Sequence, residues 1–191
     1  MLGKVVKSHE CLTFSHFCHA LGKTGAGVDM QHRNDTAGVI APPPLIFLGV
    51  ILLGLTLDWI LPAYLLSLML STMDRIVLGV PLMMGGAALA VSAIGVFRSA
   101  DTPVEPWKST RSLAGFGVFR WLRNPMYVGA LAFLAGLSFL LASDWMLVAA
   151  IVAAPVIHYG VVLREERYLA AKFGEAYTAY RAAVPRYGLR I

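Results

Sequence analysis

Charge is scarce in this chain. Asp, Glu, Lys and Arg make up 14% of its 191 residues, against roughly 25% in ordinary soluble domains, while 58% of the residues are apolar. That balance excludes an ordinary soluble enzyme, and a mean hydropathy of +0.68 excludes a disordered chain. Cysteine is nearly absent. Cys11 and Cys18 are too few for a disulfide scaffold, and with His9, His16 and His19 they match no zinc-binding spacing, so no metal site is expected. Gly22-Lys23-Thr24 lacks the earlier glycine of a phosphate loop, because Phe17 stands at that position. The net charge of +5 forms no basic stripe interleaved with aromatics, so nucleic acid is not an expected partner. The first 40 residues hold no apolar core of signal-peptide length and read as a flexible cytoplasmic extension, with Met30 as a second candidate start.

What is present is a set of long apolar runs, and the expected fold is an all-α polytopic helix bundle with a cytoplasmic loop and a C-terminal helical cap, occupying residues 41–191. Four spans are predicted, at about 45–61, 76–97, 126–142 and 145–163. Pro42-Pro43-Pro44 blocks helix upstream of the first, and Ser143 or Asp144 is placed to cap the fourth. Of the 16 Lys and Arg residues, 15 fall in the N-terminal segment, the 98–125 loop or the tail, and Arg75 alone falls on the other side. The positive-inside rule then puts both termini and the long loop in the cytoplasm, with a bacterial inner membrane as the expected location. Gly86 with Ala90, and Ala132 with Gly136, form small-xxx-small pairs suited to close helix packing. His158, inside the fourth span, is either an interhelical hydrogen-bonding residue or a substrate-facing one.

The polar chemistry gathers in the 98–125 loop and in the segment after Leu163, which a hairpin of the last two spans brings together. Asn124 is a good N-cap and Pro125 a good first helical residue, so a helix starts there with free N–H groups suited to a carboxylate or phosphate. A plain helix start with a snorkelling Arg123 is the alternative. Glu165 and Glu166 follow the fourth run and point about 100° apart on a helix. Glu165 is expected to face a pocket, with Glu166 in water or paired with Arg167; a solvated helix end is the alternative.

Thr102-Pro103-Val104-Glu105-Pro106, Leu113, Gly117, Phe119-Arg120, Arg123-Asn124-Pro125-Met126-Tyr127-Val128-Gly129, Glu165-Glu166, Phe173-Gly174, Tyr177, Tyr180 and Val184-Pro185-Arg186 occur in that order. Together they resemble the isoprenylcysteine carboxyl methyltransferase and phospholipid methyltransferase family of integral membrane enzymes, from about residue 36 to the end. The resemblance implies S-adenosylmethionine (SAM) as cofactor, and a lipid-like or prenylated acceptor arriving from the membrane lipids. By position it implies cofactor contacts from Arg111, Ser112, Leu113, Ala114, Phe119, Asn124, Pro125, Met126, Tyr127, Glu165 and Glu166. Arg123, Asn124 and Glu165 are the implied catalytic group, Arg123 toward the cofactor's carboxylate and Glu165 toward its ammonium or ribose. Asn124 stands where the family carries histidine, and it does not titrate near neutrality. The competing class is a non-enzymatic polytopic protein, a transporter or assembly subunit, that kept the fold.

Overall fold

The computed structural model describes residues 37–100 and 115–188, and its secondary structure there is entirely helical. Residues 1–36, with both cysteines and their histidine neighbours, lie outside the described residues, as do 101–114 and 189–191. Helix α1 spans Pro43–Ile60, short α2 Leu65–Met69, α3 Thr72–Ser99, α4 Pro125–Leu141, α5 Asp144–Ile157 and α6 Leu163–Ala183. A 3₁₀ turn, Gly117–Arg120, precedes α4, and a π-helical turn, His158–Val162, joins α5 to α6 without a break. Three stretches are long and apolar enough to cross a membrane: Pro43–Ile60, Thr72–Ser99 and Asp144–Ala183, the last kinked at Gly174. Where the third of the four spans was expected, at 126–142, α4 is apolar but only 17 residues long. At about 1.5 Å per residue it reaches about 25 Å, short of a hydrocarbon core of roughly 30 Å.

Several helices begin where side chains or proline deal with their free N–H groups. Pro43, in the first turn of α1, has no N–H to leave unpaired. A reciprocal capping box starts α3: Ser71 Oγ accepts from Asp74 N, and the Asp74 carboxylate accepts from Ser71 N at 3.0 Å. Ser143, not Asp144, caps α5, its Oγ accepting from Met146 N at 3.1 Å. The Asp144 carboxylate instead accepts from Leu65 N and Leu66 N, both at 2.9 Å, and so caps α2 from a distance in sequence. Ser143 Oγ also donates to the Asp58 carboxylate, and Trp145 Nε1 donates to Leu61 O at 2.6 Å. These bonds hold the end of α1, α2 and the α4–α5 turn together at one end of the bundle.

The α3–α4 contact is made through glycines. A Cβ on Gly86 would lie 2.5 Å from Gly129 O, and one on Gly136 would lie 2.5 Å from Met83 N and 2.6 Å from Gly79 O. Backbones this close need residues without side chains on both helices. The expected Gly86 and Gly136 take part, and their partners are Gly129 and Gly79. A Cβ on Gly54 of α1 would likewise meet Met146 Cα of α5 at 2.5 Å. The core between these helices is built from Val50, Leu134, Ala149, Ala150 and Ala153. In this way α4 is flanked by α3 on one side and α5 on the other, and its first turn is presented to α6 and the tail.

Candidate active site

The fourth apolar run does not stop at its acids. It continues through the π-turn into α6, so Glu165 and Glu166 sit inside a continuous helix rather than at a C-terminal end that would oppose them. The π-turn follows Pro155, which donates no backbone N–H, and Leu163 N closes it by donating to His158 O five residues back. One extra residue in the turn rotates everything after it by about 100° relative to α5. Seven residues apart, His158 and Glu165 would share a face of an uninterrupted helix; here they serve two different compartments.

The first compartment is polar. Glu166 is buried, its side chain only 8% exposed, between two arginines. Arg186 donates from Nε at 2.8 Å and from Nη2 at 2.7 Å, a bidentate fork, and Arg123 Nη1 lies 2.9 Å away on the other side. The expectation that Glu166 faces water or Arg167 is therefore corrected: Arg167 Nε bonds Leu163 O of its own helix, and Glu166 turns inward. Arg123, expected to face the cofactor's carboxylate or else to snorkel, has a side chain 9% exposed and shares Glu166. Its Nε has no acceptor among the described residues, and its Nη1 meets Glu166 outside hydrogen-bonding geometry. The guanidinium therefore keeps buried donors for a further anion.

Asn124 occupies the N-cap position of α4, but its side chain makes no capping bond. Its Nδ2 reaches 3.4 Å to Arg186 O, while Arg123 N donates to Pro185 O at 3.0 Å. The tail after α6 thus clasps the residues that open α4, and Tyr180 OH tightens the clasp by donating to Phe119 O at 2.8 Å. Phe119, expected as an aromatic contact for the cofactor, is 6% exposed and packs its ring on Phe97 at 5.0 Å. Its carbonyl is what it contributes here. Pro125 is fully buried, and Met126 packs beside Phe119. Arg111, Ser112, Leu113 and Ala114 lie outside the described residues.

Glu165 is reached by Tyr127 OH, which donates to Oε1 at 2.7 Å. Burial pushes the Glu165 carboxyl up to about 7; the Tyr127 bond opposes the rise and the Glu166 carboxylate adds to it. When Glu165 is protonated, the cluster holds two guanidiniums against one carboxylate, a residual positive charge suited to an anionic group. Burial also raises the Tyr177 hydroxyl, with Glu166 adding and Arg123 opposing.

The second compartment is an apolar groove of about 440 Å³ between α4 and α5, lined in part by Tyr127, Leu131, Pro155, His158 and Tyr187. Tyr127 belongs to both compartments, its ring in the groove wall and its hydroxyl on Glu165. His158 is half-buried, and its Nδ1 lies 2.6 Å from Tyr187 OH. An apolar groove separated by one side chain from a charged cluster has the layout of a site that brings a lipid-soluble molecule to a polar one.

The phospholipid methyltransferase family matches residues 74–176, more than half of the chain. The chain belongs to that family. It is accordingly one of the membrane methyltransferases that also include the isoprenylcysteine carboxyl methyltransferases. No curated protein and no solved structure matches it. The matched stretch contains α4, the π-turn, both glutamates and Arg123, and so covers part of both compartments. Arg186 and Tyr187 lie beyond it. Neither was a candidate site residue from the sequence, although Val184-Pro185-Arg186 was among the motifs that carry the resemblance.

Proposed function

We propose that the protein transfers a methyl group from SAM to a lipid-like acceptor held in the α4–α5 groove. The observation that carries this reading is Arg123, buried beside the start of α4 with a donor that no described residue satisfies, in a chain of a methyltransferase family. A buried guanidinium short of acceptors fits the carboxylate of the cofactor's methionine moiety. Members of the family generally use SAM, whose sulfonium supplies an activated methyl group. Arg123, with Met126 N and Tyr127 N of the first turn of α4, would hold the carboxylate, and Glu165 the ammonium or ribose. Tyr127 orients Glu165 and closes the groove wall, and the tail from Pro185 to Tyr187 excludes water from the junction.

Four crossings, with both termini on the cytoplasmic face of a bacterial inner membrane, complete the proposal. It is supported by the 15-to-1 partition of basic residues and by the bonds that tie Asp58, Leu65 and Ser143 at the end of the bundle opposite Arg123. Calorimetry on the detergent-solubilised full chain tests the function. SAM should bind, and Arg123→Met and Glu165→Gln should each weaken it roughly 10- to 150-fold, the range of a charge-assisted hydrogen bond. A wild-type chain that does not bind SAM is a non-enzymatic membrane protein that kept the fold.

A further inference from the structure

We infer that His158 is a catalytic residue: it takes the proton from an acceptor that enters the groove as a protonated nucleophile, with Tyr187 setting its tautomer. The inference rests on the methyltransferase reading above and adds to it a residue.

The groove itself points to that chemistry. Its described lining contains three tyrosines, Tyr127, Tyr159 and Tyr187, and no lysine or arginine. A carboxylate brought there would be desolvated with no cation in the wall, because Arg123 and Arg186 stand on the far side of Tyr127, gathered about Glu166. An ammonium would meet aromatic faces, which attract cations. It would also meet the one imidazole in the described residues. His158 is placed there by the π-turn, which rotates it away from the Glu165 face, and is held by Tyr187 OH at 2.6 Å from Nδ1. The Tyr159 ring abuts it edge-on at 4.7 Å.

With Nδ1–H donating to the Tyr187 oxygen, Nε2 has a free lone pair. Nε2 takes a proton from the acceptor's ammonium, leaving a neutral amine and an imidazolium. The amine lone pair forms the new bond to the methyl carbon as the carbon–sulfur bond breaks, its electrons staying on sulfur as a neutral thioether. The positive charge of the sulfonium passes to the methylated nitrogen, and the imidazolium returns its proton to water. The titratable and charged groups around His158 are Tyr187 with neighbouring Arg186 from the tail, Tyr127 with Glu165 behind it, and Tyr159 on its own turn.

The test uses the full chain in detergent, SAM, and three lipids in mixed micelles: phosphatidylethanolamine, phosphatidylcholine and an S-isoprenylated cysteine. Methyl transfer to the ethanolamine lipid is expected, with kcat in His158→Gln lowered about 100-fold or more near neutrality and the KM for SAM unchanged. The pH dependence of the His158→Gln rate should differ from that of the wild type, rising toward the ordinary amine range of about 10. Independently of activity, the nitrogen NMR signal of His158, assigned by its loss in His158→Gln, should show the proton on Nδ1 and lose that preference in Tyr187→Phe. It should shift with ethanolamine micelles and not with choline micelles. The inference is overturned by a proton on Nε2 in the wild type or an unchanged pH profile in His158→Gln. Transfer to the isoprenylated cysteine alone, or to none of the lipids, also overturns it. If SAM binds normally in any of these cases, only this inference fails; if SAM does not bind, the methyltransferase reading fails with it.

Discussion

Glu166 carries its charge between two guanidiniums, whereas Glu165, one residue earlier, is held by the neutral hydroxyl of Tyr127. The two positions therefore answer differently to the same substitution. Glu166→Gln leaves Arg123 buried without its counter-ion, and breaking a buried pair costs about 3–5 kcal/mol. A denaturation midpoint in detergent close to wild type would sink that expectation. Glu165→Gln removes a carboxyl whose folded pKa is about 7, above its value in the unfolded chain. Between the unfolded pKa and about 7 the folded state binds more protons, so the wild type loses stability as pH rises through that window. Gln mimics the protonated form, so the variant should match the wild type near pH 4 and unfold at a higher temperature near pH 8, without SAM. Equal melting temperatures at both pH values would mean that Glu165 is not held protonated.

At the scale of elements, the α3–α4 pair and the π-turn set the positions of everything else. Gly129→Val places side-chain atoms where even a Cβ would be 2.6 Å from Gly86 O. The helices must separate, a change expected to cost about 1–3 kcal/mol or more and to weaken SAM binding by displacing the first turn of α4. Thermal melts and calorimetry on the same preparation check both; unchanged SAM affinity would detach the site from the helix contact. The π-turn has a second support. Ile40 N donates to Gly160 O, and a Cβ at Gly160 would run into the Ile40 side chain, so the segment before α1 packs against this turn. Arg164 fastens the same segment by donating to Gly38 O at 2.8 Å.

For the whole molecule, the two ends of the bundle are chemically distinct. One is closed by Asp58, Ser143 and Asp144, the other by Arg123, Glu166 and Arg186. The proposed topology predicts that, with Cys11 and Cys18 replaced by serine, a cysteine at Ser67 is labelled from outside intact cells and one at Thr178 only after permeabilisation. Labelling of both from the same side would leave an even number of crossings between them and remove α4 as a span.

The apolar runs, their proline and serine starts and the family motif were legible from the sequence because they depend on local composition and spacing. Those runs match α1, α3, α4 and α5 with ends displaced by a few residues, whereas α2 falls in none of them and α6 lies beyond the last; the motif marks the chemistry around Arg123, Tyr127 and Glu165. The facing of the two glutamates was not legible. It depends on a π-turn that adds a residue to a helix after Pro155, and no hydrophobic period announces such a turn in a run apolar on every side. Nor could spacing foretell that Arg186 would reach back twenty residues to share Glu166 with Arg123, or that Tyr187 would meet His158. Residue order determines which helices form, because caps and apolar length act locally. Which charges pair and which stay open is decided only when the tail folds back over the start of α4, because ion pairing is set by distance in space and by burial.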